Sequence, residues 1–227
     1  MATVTTPERA SVIERQDPVT FDDIGWEGYD ALLKLRAGRR YPRMVYLDGS
    51  VSLMSPATPH ESLNDLLREI IRSVLVARKI PFRSFGQTTF RRKRDEAGVE
   101  GDQSYYITNL DRIRRKKTVN LLKDPPPDLA VEVVHTHGAD RSLEVYRRLA
   151  VPEVWVCGAE ELVFLVLGGD GQYGSRAVSS VIPGISASEV HSWLMQYDDE
   201  DEARWTSDVR QWAAEVVGPR DRAGEGS

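Results

Sequence analysis

Leu63, Leu66, Leu67, Ile70, Ile71, Val74 and Leu75 follow a helical i, i+3, i+4, i+7 rhythm without a miss. Thr58 stands before them as an N-cap, Pro59 at the first helical position and Glu61 three residues after the cap, so a long helix with one buried face is predicted from about residue 58. Its apolar stripe requires a sheet to pack on. Strand patterns supply one. Met44 to Met54 reads as two strands around an Asp48-Gly49 turn, and Pro81 to Phe90 as a further strand region, followed by a charged turn through Gly98. Leu129 to Val134 is the most apolar strand, hence central. Val154–Cys157 and Leu162–Leu167 form a second hairpin, with Tyr173 to Val181 as an edge. Shorter helices are expected between Phe21 and Leu35, after a cap at Asp140, and after the Ser186/Glu189 capping box. Trp205, Val209, Trp212 and Val216 mark a last amphipathic helix that needs cover, either on the domain or across a homodimer interface.

Two acidic residues interrupt this pattern. Asp102 lies in Gly101-Asp102-Gln103-Ser104-Tyr105-Tyr106-Ile107, and Glu132 in Pro127-Asp128-Leu129-Ala130-Val131-Glu132-Val133-Val134. An ionised carboxylate on an apolar strand must find a partner or take up a proton, and a pair is best accommodated by a shared cation. Asp102 and Glu132 are therefore a candidate metal site of hard oxygen ligands, suited to Mg²⁺ or Mn²⁺. Structural pairing with arginines of the basic 91–117 segment is the alternative.

The 227 residues suffice for one well-buried domain, expected over 21–195, with a loose arm before it (1–20) and an acidic linker, helix and tail after it (196–227). No run approaches a membrane span and the N-terminus lacks a secretory apolar segment, so a soluble cytoplasmic protein is expected. The single cysteine, Cys157, excludes an internal disulfide and reads as strand filler. A P-loop, a Gly-x-Ser-x-Gly elbow and a helical zinc-protease motif are all absent. His135 and His137 could clamp a transition metal or simply end a strand.

Charge refines the picture. The chain carries −5 overall, but Arg91 to Lys117 holds nine basic and five acidic residues, a surplus of four that leaves −9 elsewhere. Arg91, Arg92, Lys93 and Arg94 on one side of Asp102, and Arg114, Arg115, Lys116 and Lys117 on the other, could collect the phosphates of DNA. They could equally be a solvated hairpin. His60, at the mouth of the helix stripe, could reach a phosphate or an attacking water, or sit as a core-edge residue.

The order of elements resembles the core of the PD-(D/E)XK nuclease superfamily, and more closely the chain resembles the Uma-two family of restriction-endonuclease-like proteins. The residues that carry the likeness are Tyr46-Leu47-Asp48-Gly49 with Leu53-Met54-Ser55-Pro56 and His60, the Asp102 and Glu132 segments, Tyr146 to Val151, Pro152-Glu153-Val154-Trp155 and Ile182-Pro183-Gly184. It spans roughly Phe21 to Leu194.

The resemblance implies an α/β (α+β) restriction-endonuclease-like core, a central mixed sheet flanked by helices with additional hairpins. It further implies a metal-dependent endonuclease cleaving DNA, with Asp102 and Glu132 as ligands, the carbonyl of Val133 as another, and a metal-activated water attacking phosphorus. Two departures stand out. Related sequences carry a lysine on the helix four residues before the position of Tyr146, or at the X-K position; here these are Ser142 and Val134, and Gly101 replaces the proline. Arg141 can supply charge to the transition state, but a permanently protonated guanidinium is a poor base. A slow or inactive nuclease fold that binds nucleic acid or protein is thus the competing expectation.

Overall fold

The computed structural model describes residues 18–55, 58–134 and 139–220, with side chains from 62 in the second segment. In chain order the elements are β1 (Val19–Phe21), α1 (Gly25–Arg36), β2 (Arg43–Leu47), β3 (Ser50–Met54), α2 (Thr58–Ala77), β4 (Arg83–Ser84), β5 (Thr89–Arg92), β6 (Ala97–Glu100), β7 (Gln103–Tyr106) and α3 (Leu110–Ile113). There follow β8 (Leu129–Val133), α4 (Ala139–Leu149), β9 (Glu153–Cys157), β10 (Leu162–Leu167), β11 (Tyr173–Arg176), α5 (Ala187–Met195) and α6 (Glu202–Trp212), which continues as a π turn over Ala213–Val217.

The strands make two sheets. One runs β1-β3-β2-β6-β5, the other β11-β10-β9-β8-β7-β4; after visiting the second sheet at β4 and returning at β5, the chain steps directly from the first sheet to the second at Gly101–Asp102. Among the described strands only β8 and β9 pair in parallel, and α4 is the crossover that such a pair requires. The β2–β3 hairpin turns on Asp48 and Gly49, both at positive φ, as a two-residue turn between twisted strands demands. Two regions depart from the sequence pattern. The 81–90 stretch divides into β4 and β5, one in each sheet, and Ala97–Glu100, expected to be turn, is a buried strand between β2 and β5. Gly98 makes this possible: a Cβ there would meet the Tyr29 hydroxyl at 2.6 Å. Asp140, expected as a cap, lies inside the first turn of its helix, which begins at Ala139, and β1 lies partly inside the expected N-terminal arm, paired to β3.

Strand alternation places the core on both faces of the six-stranded sheet. Leu129, Val131 and Val133 face α2, α5 and α6, where Leu66, Leu67, Ile70, Ile71, Val74 and Leu75 form the buried stripe of α2. At roughly 1.5–3 kcal/mol per buried aliphatic side chain, this stripe contributes substantially to holding α2 on the sheet. Ala130 faces the other way, against α4 and the five-stranded sheet. The tryptophans of α6 are covered within the chain: Trp205 Nε1 donates to Trp193 O at 3.0 Å, and the Trp212 ring lies 5.4 Å from that of Trp193. The argument that this helix needs a second copy is thereby removed.

Glu153 is buried at the start of β9, yet fully partnered. It accepts from Trp155 Nε1, Ser179 Oγ, the Ser180 amide and hydroxyl, and the Val181 amide, at 2.5–3.1 Å. This carboxylate ties the 179–181 loop to the sheet. Glu153→Ala leaves those donors unsatisfied and is expected to lower the unfolding free energy by about 3 kcal/mol or more, read from urea titration.

Candidate active site

β7 and β8 are antiparallel, with Gln103 opposite Val131 and Ser104 opposite Ala130. The same register, continued one residue to the sheet crossing, sets Asp102 opposite Glu132. Directly opposite residues share a face. That face looks towards α4, whereas the neighbouring Gln103 points the other way and donates to Asn64 of α2 at 2.6 Å.

Both acids are buried, Asp102 completely and Glu132 to 4% exposure. Asp102 Oδ2 accepts from the Val133 amide at 2.8 Å, and its Oδ1 forms an ion pair with Arg43. Glu132 Oε1 accepts from the Tyr146 hydroxyl at 2.5 Å. Burial pushes the Glu132 carboxyl up to about 7, against the Tyr146 hydrogen bond and the Arg43 charge, which lower it. Burial and the facing carboxylate raise the Tyr146 hydroxyl well above its ordinary value. Glu132 can therefore hold a proton near neutrality and release it to a competing cation.

Arg43 was invisible as a site residue in the sequence. It opens β2, which pairs with β6 so that the register runs Val45–Val99 and Tyr46–Gly98, bringing Arg43 beside Gly101. The one available signal is parity: Arg43 shares the inward face of β2 with Val45 and Leu47, which pack against the second core. An arginine on that face, only 2% exposed, needs a buried anion.

Gly101 has a steric reason. A Cβ at this position would lie 2.0 Å from Tyr146 Oη and 2.8 Å from Glu132 Oε1. The Tyr146 hydroxyl fills the space that a proline or alanine would take. Gly101→Ala is expected to push this hydroxyl away, cost about 1–3 kcal/mol through overpacking, and raise the Glu132 titration further because a hydrogen bond to the ionised form is lost. Thermal melts and carboxyl NMR titration read the two effects separately.

The remaining sequence candidates are dispersed. Arg141 points to the β2–β3 turn, with Nη2 3.4 Å from Ser50 O. Ser142 is buried on α4 one turn before Tyr146, so the position of the expected lysine does face inwards. The His60 side chain, His135 and His137 lie outside the described residues, as do the cap side chains of α2. Cys157 is buried, with its thiol pushed up to about 12 by burial, as suits filler.

The basic segment is largely spent on local acids. Arg91 pairs with Asp30 at 2.7 Å, Lys93 with Glu27 at 2.5 Å and Arg114 with Asp111 at 2.6 Å; Arg92 pairs with Asp95, and Lys116 with Asp124. Arg94 lies 3.6 Å from Asp95 and is mostly exposed; Arg115 and Lys117 are exposed.

Among the described residues no group of three or more His, Cys, Asp or Glu side chains could hold a metal. Two carboxylates on one face still fit a hard divalent ion, since Mg²⁺ commonly takes one or two carboxylates and completes its shell with water and phosphate oxygens. Asp102 and Glu132, with the backbone at Val133, would hold it, and Arg43 would have to yield part of its contact with Asp102.

The mixed α/β core, two sheets flanked by helices, is restriction-endonuclease-like in fold. Residues 26–193 match the family model Uma2, described as "Putative restriction endonuclease", and the chain belongs to this family. Among solved structures it is similar to one described as "a putative nuclease belonging to DUF820" from Anabaena variabilis ATCC 29413. The identity is 18% and the TM-score 0.51, covering 67% of this chain and 92% of that one, which supports the fold. No curated protein matches the chain.

Proposed function

We propose that this protein is a divalent-metal-dependent endonuclease that hydrolyses phosphodiester bonds of DNA, with Asp102 and Glu132 as the metal ligands. The observation that carries the reading is the burial of both carboxylates on one face of adjacent strands, an arrangement costly for a fold unless a cation is to be held there. When bound, Mg²⁺ or Mn²⁺ would supply a water of lowered pKa and offset charge on the phosphoryl oxygens. The chain does the rest. Glu132 gives up its proton as the cation enters, Tyr146 fixes the orientation of the Glu132 carboxylate, and the Val133 amide fixes that of Asp102. Arg43 stabilises developing negative charge in place of the missing lysine. Arg94, Arg115 and Lys117, exposed on the basic segment, hold the DNA backbone.

A second reading is favoured by one observation. Arg43 already neutralises Asp102, and Ser142 and Val134 stand where a lysine would be, so the fold could bind nucleic acid without cutting it.

Plasmid nicking with Mn²⁺ or Mg²⁺, together with divalent-cation calorimetry, separates the two. The nuclease reading requires metal binding that Asp102→Asn abolishes, and nicking that stops in chelator. DNA binding with neither metal uptake nor cleavage would establish the second. No described helix is long and apolar enough to cross a membrane.

A further inference from the structure

We infer that the connection from α1 to β2 forms a phosphate-binding pocket beside the acid pair. The pocket is a cavity of about 220 Å³ whose walls include Arg36, Arg39, Arg40, Arg43, Gln87 and Glu100. That is room for about seven waters at ~30 Å³ each, or for a phosphate group with part of its sugar.

The charge in this cavity is not balanced. Glu100 is saturated: both Nη atoms of Arg36 reach it, the Met44 amide donates to it at 3.0 Å and Thr89 Oγ1 at 2.5 Å. Arg43 is committed to Asp102. Arg39 and Arg40 have no carboxylate within ion-pair reach among the described residues, and both side chains are exposed at the rim. In a chain of net charge −5, two adjacent arginines without a carboxylate partner among the described residues concentrate positive charge at this rim.

Two orphaned atoms point the same way. Arg36 Nε and Gln87 Oε1 are buried in the described structure without a hydrogen-bonding partner, and both residues line the cavity. Leaving such groups unsatisfied is costly, and the Gln87 amide can rotate to present its NH₂ instead. The cavity then offers a guanidinium N–H, an amide donor and two free guanidinium forks. Several donors around a carboxylate whose oxygens are already engaged call for a compact anion with several oxygens, and arginine forks suit phosphate.

Arg43 joins this pocket to Asp102, so a phosphate seated here lies one side chain from the acid pair. That the phosphate belongs to a nucleic acid rests on the nuclease reading above; it would be either an internal diester near the cleaved bond or a terminal monoester.

The test is run in EDTA, so that metal binding plays no part. Fluorescence anisotropy measures the affinity for labelled duplex DNA with 5′-phosphate or 5′-hydroxyl ends, across a range of salt. Wild type is compared with Arg39→Gln/Arg40→Gln and with the charge-matched Arg204→Gln/Arg210→Gln on exposed α6. The pocket variant should bind roughly 10- to 50-fold more weakly and lose about two from the salt slope, while the control changes little. Loss with both DNAs assigns the diester, and loss with the phosphorylated DNA alone assigns the terminal monoester. Equal losses in the two variants would overturn the pocket. If wild type binds no DNA, inorganic phosphate is the probe. A phosphate-dependent rise in melting temperature that Arg39→Gln/Arg40→Gln removes keeps the pocket whatever the nicking assay returns for the nuclease reading, and no rise removes the pocket.

Discussion

Replacing Glu132 with glutamine is expected to stop nicking and, at the same time, to make the fold more stable above pH 7. The carboxyl titrates near 4.5 in an unfolded chain and at about 7 in the folded one, raised by burial. Between those values the folded state holds a proton that the unfolded state has lost, so stability falls as pH rises through this window. The destabilisation is absent below about pH 4.5 and complete above about pH 7. Two to three pKa units correspond to roughly 3 kcal/mol, an upper bound because the group is linked to Tyr146. Glutamine keeps an oxygen to accept from the Tyr146 hydroxyl and carries no charge to desolvate. The variant should therefore match wild type in urea titrations at pH 4 and exceed it by up to about 3 kcal/mol at pH 8. Cleavage should drop by about 100-fold or more, since a metal ligand contributes at least as much as one transition-state contact. Wild-type nicking should rise with pH through 7, and its midpoint should move lower at higher Mg²⁺, because proton and metal compete for one carboxylate. A variant as active as wild type would remove Glu132 from the chemistry.

The parts of this fold that could be read from sequence are those whose determinants lie within a few residues of each other. The Asp48-Gly49 hairpin, the stripe of α2, the Ser186/Glu189 capping box and the apolar run of β8 all carry their cause locally, and all are observed. β6 was not legible because Ala97-Gly98-Val99-Glu100 has little strand character of its own. Its conformation comes from β2 and β5 on either side, and Gly98 serves the Tyr29 ring rather than a turn.

The acid pair was legible for an energetic reason: a carboxylate within an apolar strand is expensive wherever the strand ends up. Its compensation was not. Arg43 is 59 residues from Asp102, and a basic residue at the head of a strand looks like ordinary surface. Distance along the chain also explains why the 91–117 segment seemed to carry free charge. Asp30 and Glu27, which neutralise Arg91 and Lys93, arrive from α1, more than 60 residues upstream. Arg39 and Arg40, without a carboxylate partner among the described residues, stand in a short loop where no sequence pattern marks them as a pair with a purpose.

Arg43→Met is expected to be among the most destabilising single changes on this face, and its rescue pattern discriminates between the two functional readings. The substitution keeps the volume roughly constant but leaves Asp102 buried without its counter-charge, next to Glu132. Breaking a buried ion pair from one side typically costs about 3–5 kcal/mol. Arg43→Met/Asp102→Asn, with neither charge, should recover much of the loss, giving a coupling energy of up to about 3 kcal/mol in the double-mutant cycle. The divalent ion supplies the decisive contrast. If Asp102 and Glu132 form a metal site, Mn²⁺ replaces the missing guanidinium and restores Arg43→Met by about 2.7 kcal/mol at 100-fold over its dissociation constant, but not the double variant. Wild type should gain less at the same concentration, since Arg43 competes for Asp102. If the arginine and the acids are only a structural pair, Mn²⁺ leaves all three proteins unchanged while the double variant still recovers, and the hydrolase assignment fails on a melting curve alone.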